Sequence, residues 1–202
     1  MMATTHALVG GTLGAAVSVA APELAPVALP AGAAGGLFPD LDLYAGHRRT
    51  LHFPVYYWLA ASAAAGVAVV AAAPLAAAVA VFLLAAACHS AMDALGGGLE
   101  LRPWEGSSDR AVYDHFRGRW VAPRRWVRYD GAPEDLLVAT AAAAPTYLLA
   151  EAPLVRRGVL ALVAVSAGYV VLRRPLATLA ERVAASLPAP VRPYLPERFL
   201  GR

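Results

Sequence analysis

His89 and Asp93 stand four residues apart in the apolar stretch "LLAAACHSAMDAL". On a helix that spacing puts both on one face, about 6 Å apart. A second polar concentration, "FPDLDLYAGHRRTLHF" (38–53), carries Asp40, Asp42, His47, Arg48, Arg49 and His52. Imidazole and carboxylate groups suit zinc, iron or manganese. Asp40, Asp42, His47, His52, His89 and Asp93 together would be enough for one or two ions. Each feature also has a plainer reading. His89 and Asp93 can form a buried hydrogen-bonded pair, "PDLD" can be a turn, and the two loop histidines can be solvated. A polar group among apolar helices is costly without a partner, which favours a joint role.

The elements that must position these groups are apolar. The chain has 202 residues, is 59% hydrophobic and only 15% charged, where a soluble domain carries about 25%. Its mean hydropathy is +0.54. These values describe an all-α, polytopic membrane bundle. From Phe53 to Leu99 the only residue charged at neutral pH is Asp93, and Pro74 divides the run. Residues 55–73 and 75–95 are each long enough as helices to cross about 30 Å, so a transmembrane hairpin is expected. Residues 136–150 and 158–172 form a second, shorter pair, which flanking arginines can extend by snorkelling. Residues 4–36 make either one span or a helical hairpin. The expected organisation is therefore four spans plus this N-terminal element over 1–174, with an interfacial loop at 96–134. Residues 175–202 follow as an interfacial or flexible tail.

The opening loop, the 96–134 loop and the tail carry most of the arginines, and there is no lysine. Positive residues stay cytoplasmic, which puts both loops, the metal groups and the C-terminus on the cytoplasmic side of a multi-pass cell-membrane protein. Arg156 and Arg157 fall outside in this topology. The tryptophans and arginines of 96–134 suit the headgroup layer, and no nucleic-acid partner is expected. The single Cys88 rules out an internal disulfide. His115 and the acids Glu134 and Asp135 lie outside the two polar clusters, and the acids read first as favourable charges at a helix N-terminus.

The order "TH…PDLD…HRRTLH…HSAMD…P" resembles the LexA-binding, inner-membrane-associated metal-dependent hydrolases. The matching positions are Thr5-His6, Pro39 to Asp42, His47-Arg48, His52, His89, Asp93 and Pro103. The family's second Thr-His pair is Leu51-His52 here, with Thr50 one place earlier. The pattern is more distantly similar to the His/Asp spacing of zinc-dependent phospholipase C. The resemblance implies His47, His52, His89 and Asp93 as metal ligands, Asp40 and Asp42 as ligands or bridging carboxylates, and His6 as a further ligand. If His6 joins the site, residues 4–36 must go in and come back, which favours the hairpin. A cytosolic protein partner is a further implication of the family's label.

The chemistry expected is hydrolysis assisted by a divalent transition metal, with zinc the first choice. Asp42 or Asp40 would orient water or act as base. Arg48 would hold a phosphate oxygen, making a phosphoester, and plausibly a lipid one, the expected substrate. Arg48 can equally be a topology signal. A proton relay through the bilayer and a non-catalytic binding protein are the competing functions.

Overall fold

The computed structural model describes residues 1–188, 190, 191, 194, 195 and 199. Most of the chain is helical. Six α-helices are present among the described residues: α1 (Ala3–Ala20), α2 (Ala25–Leu37), α3 (Tyr56–Ala71), α4 (Pro74–Leu95), α5 (Pro133–Leu149) and α6 (Pro153–Ser186). A two-stranded antiparallel hairpin, β1 (Val112–Asp114) and β2 (Arg119–Val121), pairs Tyr113 with Trp120.

Residues 4–36 form the hairpin α1–α2, not one span. Pro22 opens a short 3₁₀ turn between the two helices. Pro30 and the glycines of "AGAAGGLF" lie inside α2. Water would penalise such a helix, whereas a bundle in lipid has no competing solvent for the backbone and tolerates it. The turn between α3 and α4 is made by Ala72, whose φ is +46°, followed by Pro74 at the first helical position. Between α5 and α6 the Arg156 side chain donates to the Ala150 carbonyl at 2.7 Å, closing the end of α5.

Each short connection reverses the chain, so the helices alternate in direction. α1 packs on α2 and α5, α2 on α4, α4 on α3, and α5 on α6. The start of α1, the ends of α2 and α4 and the starts of α3 and α5 all meet at one end. There the 96–132 segment folds over them.

The interior is lined by small residues: Ala7, Ala15, Ala28, Ala85, Ala86, Ala87, Ala139 and Ala143 are all buried. Large apolar side chains point outward instead, with Val70 88%, Val69 83% and Leu154 80% exposed. His6, His52, His89, Asp93 and Asp135 are almost completely buried. Small residues inside and large apolar ones outside is the distribution of helices that associate in a bilayer through close contacts of small residues. Four helical segments are long and apolar enough to cross a membrane: Ala3–Ala20, Pro22–Asp42, Pro74–Leu95 and Pro153–Ser186. They differ from the four expected spans. Both N-terminal helices qualify, while α3 and α5 are shorter.

Two further points differ from the sequence reading. The helix expected to end near residue 172 continues through Pro175 to Ser186. The extension is held by Glu181, which accepts from Arg102 at 2.7 and 2.5 Å, and by buried Ala177 and Ala184. The 96–134 loop contains the β-hairpin, so the fold is not purely α-helical.

The α1–α2 contact is backbone on backbone. A Cβ on Gly10 would lie 2.0 Å from the Gly32 carbonyl oxygen. Gly10→Ala is therefore expected to push the helices apart and cost about 1–3 kcal/mol, measured as a lower thermal midpoint in detergent. Gly66→Ala on α3, where a Cβ meets nothing within 4 Å, serves as the neutral control.

Candidate metal centre

α2 runs into a 3₁₀ turn, Phe38–Asp42, whose tight winding turns Asp40 and Asp42 in different directions. Asp42 is buried and faces the loop that follows. Its Oδ1 accepts from His47 Nδ1 at 3.0 Å and from the Arg48 amide at 3.2 Å. Its Oδ2 accepts from the Leu51 amide and from His52 Nδ1, both at 3.0 Å. One carboxylate thus winds residues 47–52 around itself. Arg48 sits at φ +59°, a strained conformation for a non-glycine residue, and its backbone is pinned on both sides. Asp42 accepts its amide, and its carbonyl accepts from the Tyr113 amide of β1 at 2.9 Å.

The loop aims His52 at α4. There His89 donates from Nδ1 to the Gly36 carbonyl at 2.6 Å. A carbonyl only accepts, so that nitrogen carries the proton and His89 Nε2 presents a lone pair. His52 is oriented the same way by Asp42, so its Nε2 presents a lone pair as well. These two Nε2 atoms face each other at 3.1 Å. Two neutral imidazoles cannot hydrogen-bond in this arrangement. A positive charge belongs between them, either a shared proton or a cation.

Asp93 completes the convergence. Its Oδ2 lies 3.2 Å from His52 Nε2, 3.4 Å from His89 Nε2 and 3.2 Å from Arg48 Nε. Yet this buried oxygen accepts no aligned hydrogen bond. Asp40 Oδ1 is 3.5 Å from His89 Nε2 and 4.0 Å from His52 Nε2. One ligand atom from each of Asp40, His52, His89 and Asp93 lies within 4.8 Å of all the others. Tetrahedral zinc with bonds of about 2.0–2.1 Å separates its ligand atoms by about 3.3–3.4 Å. The donor set, its spacing and the orphaned Asp93 oxygen therefore fit a divalent transition ion.

The other sequence candidates take different places. His6 stacks on His89 with ring centroids 3.6 Å apart, and its Nε2 is 3.3 Å from Asp93 Oδ1. Neither of its buried ring nitrogens has a hydrogen-bond partner. His47 binds Asp42 and lies outside the four-residue cluster; burial holds its imidazole below the ordinary pKa. Asp42 is likewise outside the cluster, behind the two histidines that it orients. Arg48 is 6% exposed, and its guanidinium reaches Asp93 at 3.2 Å and the Gly97 carbonyl at 2.8 Å. It is thereby committed to the protein rather than held open. His115 packs between Phe53 and Tyr113.

Three contributors were not singled out as site residues from the sequence. Asp135 accepts from the Met2 amide at 2.8 Å, from Thr5 Oγ1 at 2.7 Å and from the Gly131 amide at 3.0 Å. It ties the start of α1, and so His6, to the start of α5. Gly36 supplies the carbonyl for His89, and a Cβ on it would lie 2.2 Å from the His6 carbonyl oxygen. Glu100 has both carboxylate oxygens buried without a hydrogen-bond partner among the described residues. For Asp135 the signal was the acid in a first helical turn; for Gly36 and Glu100 the sequence offers none.

Asp42→Asn is expected to leave the fold in place and weaken metal binding by about 10–100-fold, the usual cost of losing a carboxylate behind a ligating histidine. Competition with a chromophoric chelator measures this. No protein-family model, no curated protein and no solved structure matches the chain.

Proposed function

We propose that the protein is a multi-pass inner-membrane metallohydrolase whose His52, His89, Asp93 and Asp40 hold one divalent transition ion, with zinc the best fit. The observation that carries this reading is the pair of imidazole Nε2 lone pairs facing each other beside an orphaned carboxylate oxygen. A bound ion would supply Lewis acidity and bring a water toward ionisation near neutral pH. Asp42 fixes the tautomer of His52 through Nδ1, as Gly36 does for His89. Arg48 holds Asp93 in place and offsets its charge. Asp40, the more exposed ligand at 24%, is the carboxylate that meets substrate and water, and so the candidate proton acceptor. With Asp42 and Arg48 engaged, both act as positioning residues. The arginines of the 96–134 segment favour a phosphoester and keep this end of the bundle cytoplasmic.

A proton relay would need polar groups through the depth of the bilayer, whereas the cluster gathers at one end. The test is turnover of bis(p-nitrophenyl) phosphate by detergent-purified protein loaded with zinc, manganese or iron. Turnover should vanish on chelation, return with metal and be absent in His52→Ala. Stoichiometric metal without turnover of phosphoesters, carboxyl esters or amides would leave a non-catalytic binding protein as the better account.

A further inference from the structure

Two cavities meet beside the cluster, and their walls differ in chemistry. The first, about 640 Å³, is bounded by Met1, Met2 and the Val165, Leu176, Ala177 and Ala180 wall of α6, and it contains Asp40. α6 is one of the helices apolar enough to span a membrane, and Val165 is 59% exposed on it. The second, about 1030 Å³, is bounded by Arg49, Ser107, Ser108, Asp109, Arg110 and Trp120. Leu43, His47, Leu99 and Glu100 line both. An apolar chamber against an apolar helix thus joins a polar chamber at His47 and Glu100, with the ligand Asp40 in the wall of the apolar one, and the first has the size usual for a small-molecule site, about 300–1,000 Å³.

The polar chamber has charges without ion-pair partners among the described residues. Arg49 lies over the Tyr113 ring at 4.7 Å and Arg110 over Trp120 at 5.8 Å, and neither is ion-paired with a carboxylate among the described residues. Glu100, at the junction, has two buried oxygens and no donor among the described residues. Two unpaired cations beside two acids, Asp109 and Glu100, match a head that carries both a phosphate and a hydrogen-bond donor, such as an ammonium.

We propose that the site takes a membrane phospholipid with an amine-bearing head, its acyl chains in the α6 chamber, its phosphate against Arg49 and Arg110, and its ammonium on Glu100. This rests on the reading of the cluster as a hydrolase, and it adds the substrate class. The phosphodiester then lies at the junction, beside Asp40. In hydrolysis the oxygen of water joins phosphorus, one P–O ester bond breaks, and the alcohol oxygen that leaves takes the proton.

The test separates this inference from the hydrolase reading by measuring binding without metal. Native mass spectrometry of the metal-free protein with palmitoyl-oleoyl phosphatidylethanolamine should show one lipid retained per chain. Val165→Trp and Ala180→Trp, which fill the α6 chamber from different points, should each lower retention at least about tenfold, as should Arg49→Gln combined with Arg110→Gln. Glu100→Gln should abolish preference for phosphatidylethanolamine over phosphatidate. Retention unchanged in both Trp variants would overturn the inference whatever the activity. Retention that responds as stated, without metal-dependent turnover, would support the lipid site and sink the hydrolase reading alone.

Discussion

Loss of the bound divalent ion is the expected result of His89→Ala, and equally of His52→Ala. Each substitution removes one of the two imidazole nitrogens that face each other at 3.1 Å. Each also leaves two carboxylates, Asp40 and Asp93, with too few neutral donors to complete a tetrahedral site. The cost should exceed the roughly 10–100-fold loss caused by disturbing a residue behind a ligand, so the two variants and Asp42→Asn form a graded series. Competitive titration against a chelator ranks them. His47→Ala is the informative comparison, because His47 touches Asp42 but lies outside the cluster. It should fall with Asp42→Asn, not with His89→Ala. Metal retention should also decline as the solution is acidified below the ordinary histidine pKa of about 6.5, since protons compete for the same nitrogens.

Arg48→Met is expected to destabilise the protein strongly. The guanidinium is a counter-charge of Asp93, a fully buried carboxylate whose other oxygen is 2.9 Å from the Met1 amine. Removing one partner of a buried ion pair costs about 3–5 kcal/mol, or roughly 6–20 °C in thermal midpoint for a chain of this size. The loss should be greater in metal-free protein, because a bound cation also offsets Asp93. Adding Asp93→Asn to Arg48→Met should recover part of the stability. If Arg48 were instead a substrate anchor, its replacement would raise KM and leave the midpoint unchanged. Thermal unfolding with and without zinc, followed by kinetics on bis(p-nitrophenyl) phosphate, separates the two roles.

Much of the arrangement was legible because long apolar helices are written in composition. The uncharged run around Pro74 gave the α3–α4 hairpin, and the i, i+4 spacing of His89 and Asp93 put them on one helical face. Pairing that face with the loop holding Asp40 and His52 followed from chain reversal alone. The two carboxylates of "PDLD" could not be told apart. Their division of labour depends on a 3₁₀ turn that sends Asp40 to the cluster and Asp42 into the loop. α2 was hard to read because its glycines and Pro30 are breakers in water, yet they allow the close approach of Gly32 to Gly10. The length of α6 was hidden by Pro175, since the Arg102–Glu181 pair that steadies the extension links residues far apart in sequence. Arg48 reads in sequence as a phosphate anchor or a topology signal; only the fold of 47–52 around Asp42 buries it.

The most direct test of the account is X-ray absorption at the metal edge of zinc-loaded protein in detergent. The predicted spectrum has two imidazole nitrogens and carboxylate oxygen at about 2.0–2.2 Å, with one imidazole lost in His52→Ala. A spectrum of oxygen ligands alone, or one that His52→Ala and His89→Ala leave unchanged, would contradict it.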